Sequence, residues 1–269
     1  MYEEPYRWVE AVGNRRTYLD EQFKQGSPVV ALSYEDGILL ATVSKGTPKL
    51  YEIYDRIALG GMGHPADLEK LRFSLLEMAH TEGFNRSPSD VTGARLVKYG
   101  VAPVVKQAFE EVYKAPFILK ILLVELGHKN GKDVLITINY DGTFEERDGC
   151  AVLAATPAIQ ADMVSSLRRR MTASLSLAQA LSMALHAWAL GDRAQRRVLD
   201  ERESEKDGSG PDSGETSLLS THLRDTMADK TFECAVLDRH QPGSSKYRTL
   251  SADDVARLLA SDLKPASPQ

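Results

Sequence analysis

Two apolar runs, Pro28–Tyr34 and Ile38–Ser44, stand either side of Glu35-Asp36-Gly37. No other feature constrains the fold of this chain as much. The runs are short and rich in strand formers, and glycine at the turn tolerates the positive φ that a tight hairpin uses. Neither run alternates apolar with polar residues. A strand without a polar face has to be covered on both sides, so the sheet that holds this hairpin lies between layers. A chain of 269 residues is long enough for that, since a fold of this size buries roughly 73% of its unfolded surface.

The rest of the chain supplies the layers. Residues 4–24 have the pattern of an amphipathic helix, with Pro5 suited to a first helical position and Trp8, Val12, Leu19 and Phe23 on one stripe. Gly26 stops it. A third strand, about Lys49 to Leu59, runs to a tight turn at Gly60-Gly61-Met62-Gly63. Two helices follow. One starts near Pro65 with Leu68, Leu71, Leu75 and Met78 on a face; the other spans about Ser89 to Val112, bent by Gly100 and Pro103. A meander of three strands, Phe117–Gly127, Val134–Tyr140 and Gly149–Ala155, turns at Asn130-Gly131-Lys132 and Asp141-Gly142-Thr143. Helices at about 157–170 and 176–199 come next, the second apolar almost all round. Strands Phe232–Asp238 and Lys246–Leu250 and a helix capped by Ser251 close the pattern. Strand pairs alternating with helix pairs predict an α+β fold: a four-layer αββα sandwich of two mainly antiparallel sheets flanked by helices.

Composition excludes several classes. With 33 Lys+Arg against 38 Asp+Glu, the formal charge is −5, and no basic block recommends nucleic acid as a partner. No apolar run reaches the ~18 residues of a membrane span, and the polar start is no signal peptide. Two cysteines, Cys150 and Cys234, are too few for a disulfide framework and fit a reducing, cytoplasmic setting. The six histidines lack metal-ligand spacing, so no metal and no cofactor are expected. Gly60–Gly63 lacks the third glycine and the strand–helix–strand context of a dinucleotide loop. Arg168-Arg169-Arg170 ends a helix, where cations offset the macrodipole. Residues 200–217 are acidic and carry no large apolar side chain at 200–216, so they read as a disordered insert. Residues 263–269 read as a flexible tail. The expected division is then 1–26, 27–262 and 263–269.

In this order the elements resemble the proteasome α-type subunits, closest to the bacterial kind. Phe23-Lys-Gln-Gly-Ser-Pro-Val-Val-Ala-Leu is similar to the α-specific first helix entering the first strand. Asp36-Gly-Ile-Leu-Leu-Ala, Lys49-Leu-Tyr-Glu-Ile-Tyr-Asp-Arg-Ile with Gly60-Gly-Met-Gly, and Asp90-Val-Thr-Gly-Ala-Arg follow the family's order. So do Ala115-Pro-Phe, Phe232-Glu-Cys-Ala-Val-Leu-Asp-Arg and Tyr247-Arg-Thr-Leu. The resemblance implies the N-terminal-nucleophile hydrolase sandwich, assembled as a homo-heptamer. It also implies catalytic proteasome β subunits as partners, a ring-shaped ATPase activator that docks through its C-terminal tails, and unfolded proteins as substrates.

It further implies roles for residues. Lys49, Gly26 and Gly63 correspond to the pocket between neighbouring α subunits that receives an activator's C-terminal carboxylate, with the two glycines leaving room for the tail. A lysine offers a compact charge on a flexible stem. At ~4 Å and an effective dielectric of ~20 the contact is worth at most ~4 kcal/mol before desolvation. Met1 to about Arg7, with Tyr2, Glu3, Glu4 and Tyr6, would form the gate over an axial pore. Trp8, Val12, Leu19 and Phe23 would carry the ring contact. Active members of this fold expose a Thr, Ser or Cys as a new N-terminus. The aligned residue is Ser27, which would make this chain a self-processing hydrolase cleaved after Gly26. Against that reading, a patterned helix precedes Ser27, Pro28 follows it, and Val43 stands where active subunits place an acidic partner. A ring-forming scaffold without a protease partner is the third alternative.

Overall fold

A computed structural model describes residues 5–111, 113–128, 131–172, 174–200 and 230–262. Within it Val29–Tyr34 (β1) and Gly37–Ser44 (β2) form the expected hairpin, pairing from Val29 opposite Thr42 to Tyr34 opposite Gly37. All eight residues of β2 are buried. The hairpin sits inside a five-stranded sheet. Thr231–Asp238 (β9) pairs with β2, Tyr247–Thr249 (β10) with β9, and Cys150–Leu153 (β8) with β1. The order is β10-β9-β2-β1-β8. A second sheet runs β3-β4-β5-β6-β7 through Leu50–Tyr54, Ile57–Gly63, Leu119–Glu125, Val134–Ile138 and Phe144–Arg147. Every pairing is antiparallel.

The faces alternate as period-2 side chains require. Val29, Ala31, Ile38 and Leu40 point between the sheets, against Ala58, Leu122 and Val124. Val30, Leu32, Leu39 and Ala41 point outward, under the helices Pro157–Arg170 (α5), Leu177–Asp200 (α6) and Ala252–Asp262 (α7). On the other sheet Ile57, Leu59, Ile121 and Leu123 point outward, under Pro65–Asn85 (α2) and the helical run that follows it. Three apolar cores therefore separate four layers, as the strand and helix pairs predict.

Several features differ from the sequence reading. The expected third strand is a hairpin, β3 and β4, turning at Asp55-Arg56; with no Gly or Pro there, no local signal marked the turn. Gly60-Gly61-Met62-Gly63 is then the end of a strand, buried up to Met62, rather than a tight turn. A Cβ on Gly60 would come 2.8 Å from Val29, and one on Gly61 would come 2.3 Å from Leu68. The meander also contains an unforeseen strand, β7, whose residues Phe144, Glu145 and Glu146 are exposed and lack an apolar face. The third meander strand, β8, crosses to the other sheet.

The helix expected over 89–112 is a composite. A 3-10 turn at Pro88–Asp90 leads to Gly93–Arg95 (α3), a π segment at Leu96–Val101 and Ala102–Glu110 (α4). The π widening spans Gly100 and precedes Pro103, which has no N–H to give. Gly100 also lets the segment close on α2, since a Cβ would meet Met78 Sδ at 2.6 Å. Ser251 caps α7 as expected, its hydroxyl accepting from the Asp254 N–H at 3.1 Å. Asn130, the acidic run beyond Asp200 and residues 263–269 lie outside the described residues. Cys150 and Cys234 are free and buried, and burial pushes the Cys234 thiol up to about 12. No described helix is long and apolar enough to cross a membrane.

Gly37 starts β2 opposite Asp238, and a Cβ there would lie 1.9 Å from the Leu237 carbonyl oxygen. Gly37→Ala forces β9 away from the central hairpin. It should destabilise the chain by about 1–3 kcal/mol, read as a lower urea midpoint; an unchanged midpoint would show that the β2–β9 pairing relaxes freely.

Candidate functional site

The joint between helix and sandwich is built by α6. Helix α1 covers Pro5–Phe23 and ends where the Gly26 N–H reaches back to the Phe23 carbonyl at 2.9 Å. The Gly26 carbonyl accepts from the buried Gln195 side-chain amide at 2.6 Å, and Gln195 in turn accepts the Ala155 N–H at 3.2 Å. About two turns earlier on α6, the Trp188 indole N–H donates to the Ser27 hydroxyl at 3.0 Å. Between them, Gly191 makes room for Pro28 and Met163; a Cβ there would come 3.2 and 2.4 Å from their side chains. Residues 188, 191 and 195 share one helix face, so one face of α6 holds Gly26, Ser27 and Pro28.

Lys49 lies at the same end of the sandwich, just before β3. Its carbonyl accepts the Gly61 N–H at 2.9 Å, and its own N–H donates to Glu233 Oε2 at 2.8 Å. The ammonium donates to the Val43 carbonyl at 3.4 Å, its one hydrogen bond among the described residues. Burial pulls the Lys49 pKa below the usual lysine range. Glu233 opposes the fall, Lys230 and Lys45 deepen it, and Asp192 opposes it. This is a half-buried cation holding a long contact to a neutral acceptor, and a carboxylate would satisfy it better.

Lys49, Gly26 and Gly63 gather around the end of β4: Lys49 bonds Gly61, Gly26 abuts Met62, and Gly63 follows. The reason assigned to the glycines changes, however. A Cβ on Gly26 would meet the Met62 methyl at 2.5 Å, so that space is filled by the chain itself. Gly63 has φ of 142° and a Cβ there would lie 2.0 Å from the Ile118 carbonyl oxygen. Both glycines serve intrachain packing here. His64, next in line, caps α2 by accepting the Ala66 N–H at 3.3 Å on Nδ1.

The stripe on α1 divides. Leu19 and Phe23 are fully buried in the chain's own inter-sheet core, so they are not free for a ring contact. Trp8 is 51% and Val9 66% exposed, and Val12 packs at the core's edge. Tyr2, Glu3 and Glu4 lie outside the described residues, and Tyr6 is placed in the first turns of α1 by its backbone alone.

The seat of α1 uses residues that periodicity does not reveal. Arg15 donates to the Ala108 and Phe109 carbonyls, both at 2.9 Å, and so satisfies acceptors at the C-terminus of α4. The Tyr140 hydroxyl donates to Asp20 at 2.9 Å, and its ring stacks on Phe23 at 5.7 Å. Lys120, buried on β5, donates to the Ala154 and Ala155 carbonyls at 2.9 and 3.0 Å and lies 4.7 Å from the Phe23 ring centroid.

The Ser27 hydroxyl oxygen accepts a hydrogen bond from the Trp188 indole, and Pro28 follows it. Val43 directs its side chain into the outer core and offers only its carbonyl toward Lys49.

The fold and this joint define a sandwich of the N-terminal-nucleophile hydrolase type with a helix built onto its leading strand. A profile of the family described as "Proteasome subunit" matches residues 23–199. A proteasome subunit alpha of Kineococcus radiotolerans is 30% identical over 250 residues, covering 92% of this chain and 93% of that protein. Subunits of the same name from Thermobifida fusca and Actinosynnema mirum are each 28% identical, covering 91% of this chain and 86% and 83% of theirs. The chain belongs to the proteasome α-subunit family.

Burial holds the Lys120 pKa down at about 8, against pulls upward from Asp20 and Asp141. Its folded pKa thus lies below the unfolded value of ~10.4. Below about pH 8 both states hold the proton. Between there and ~10.4 the unfolded chain binds more protons, so stability rises with pH through this group. The rise is about 1.4 kcal/mol per pH unit. Relative to a Lys120→Met variant, the wild type should gain urea resistance from pH 8 to 9.5; parallel profiles would show that the buried amine does not titrate in this range.

Proposed function

We propose that this chain is the non-catalytic α subunit of a bacterial-type 20S proteasome, working in the cytoplasm. It forms the outer heptameric ring on a catalytic β ring, and its N-terminal residues close the axial pore. It receives the C-terminal carboxylates of a ring-shaped ATPase activator at Lys49. Proteolysis is then confined to the β chamber, and only unfolded chains pass the gate.

The observation that carries the docking role is the state of Lys49. Its N–H has the carboxylate of Glu233, whereas its ammonium has, among the described residues, a single carbonyl at 3.4 Å. Burial has already removed part of the water that such a charge prefers, so an arriving carboxylate displaces little. The family membership and the hydrogen bonds that hold Gly26 and Ser27 to α6 support a subunit that keeps its first helix rather than cutting it away. With Leu19 and Phe23 committed to the chain's own core, the ring contact narrows to the exposed start of α1, at Trp8 and Val9 with the edge of Val12.

Lys49→Ala should abolish activator-stimulated degradation while native mass spectrometry still finds seven-membered rings; full stimulation in the variant would remove the docking role. Deleting residues 2–7 should raise peptide cleavage by the assembled particle several-fold without activator, whereas an unchanged rate would mean that these residues do not close the pore.

A further inference from the structure

On a chain with a formal charge of −5, a groove between two helices is positive. It lies between α5 and α6, has a volume of about 430 Å³, and is lined by Asp162, Ser165 and Arg169 with Leu190, Arg193 and Arg197. Asp162, Ser165 and Arg169 recur at helical spacing, as do Leu190, Arg193 and Arg197, so each set faces the same groove from its own helix. Three guanidiniums meet one carboxylate. None of the three has an ion-pair partner among the described residues, although Arg193 is half-buried. Arg196, one residue before Arg197 on α6, is different: it pairs with Asp192 at 2.8 Å. Arg193 is thus left with donors unspent in a partly dehydrated place, with Arg169 and Arg197 exposed beside it.

We infer that this groove is an interaction surface for a carboxylate-rich peptide segment of another protein. Guanidinium forks match carboxylates two bonds at a time. Leu190 and the aliphatic stems of the arginines lay an apolar strip beside the charges. That combination suits a chain with apolar residues among its acids better than a free anion. The face also has a consequence for the joint. Arg193 and Arg197 flank Gln195, which holds the Gly26 carbonyl from the inner side of the same helix turn. A partner seated in the groove would bear on the helix that anchors α1. The surface is separate from Lys49 and does not rest on its docking role.

The test is fluorescence anisotropy of a labelled peptide of Glu-Glu-Leu repeats against the full-length chain at low salt. Arg193→Glu combined with Arg197→Glu should weaken binding about tenfold or more, with binding also falling as salt shortens the ~10 Å screening length at 0.1 M. Arg193→Lys, which keeps charge but loses the fork, should show an intermediate loss. The peptide is amidated at its C-terminus so that it offers Lys49 no terminal carboxylate, and thermal melts confirm that all variants fold. Equal binding by the double variant would overturn the proposal. So would complete displacement of the peptide by inorganic phosphate at matched charge, which would make the groove a generic anion site. Binding seen only after removal of residues 201–216 would assign the groove to the chain's own acidic run and overturn it as well.

Discussion

The Gly26 carbonyl accepts a hydrogen bond from the buried Gln195 amide, and this contact fixes where the first helix stops and the first strand begins. β1 and β2 occupy the middle of their sheet, with partners on both sides. An error in where β1 starts would turn every residue of that strand to the wrong face, because side chains alternate with a period of two. Gln195 holds one side of the joint, and Trp188 and Gly191 hold the next two residues. Since Gln195 also accepts the Ala155 N–H beyond β8, helix, strand and joint are tied through one buried amide. Such a side chain stabilises a single arrangement more than its net energy suggests, because any other leaves polar groups buried without partners.

The same joint surrounds the residue aligned with a nucleophile. Ser27 is bonded by Trp188 and preceded by a helix that is itself anchored. That anchoring is extensive: Arg15 on the α4 carbonyls, Asp20 on Tyr140, and Phe23 beside both Tyr140 and the Lys120 ammonium. Lys120, Leu19 and Phe23 are buried together, while Trp8, Val9 and Tyr18 of the same helix stand in solvent. The helix is thus part core element and part exposed surface.

Much of this was legible in the sequence. Apolar runs with no polar face required a covered sheet, and paired strands between paired helices required four layers. The helix at residues 4–24, the hairpin at Asp36-Gly37 and the Ser251 cap follow from local rules of spacing, turn chemistry and capping. The turn at Asp55-Arg56 and the strand Phe144–Arg147 carry no such local mark, and the crossing of β8 to the other sheet is not a local property at all. Lys49 stood out only through resemblance. Its half-satisfied ammonium depends on Val43 and Glu233, which lie on other strands.

The order of the helices and of most strands, their amphipathic faces and the layer count came from the sequence alone, because hydrophobic periodicity and turn chemistry act over a few residues. Three things waited for the tertiary structure. One was the division of the Trp8–Phe23 stripe into buried and exposed parts. Another was the packing reason for Gly26 and Gly63. The third was the convergence of Arg169, Arg193 and Arg197 on one groove. Each depends on which distant segment arrives to fill a space or leaves a charge without a partner, and a single chain's local pattern does not encode that arrival.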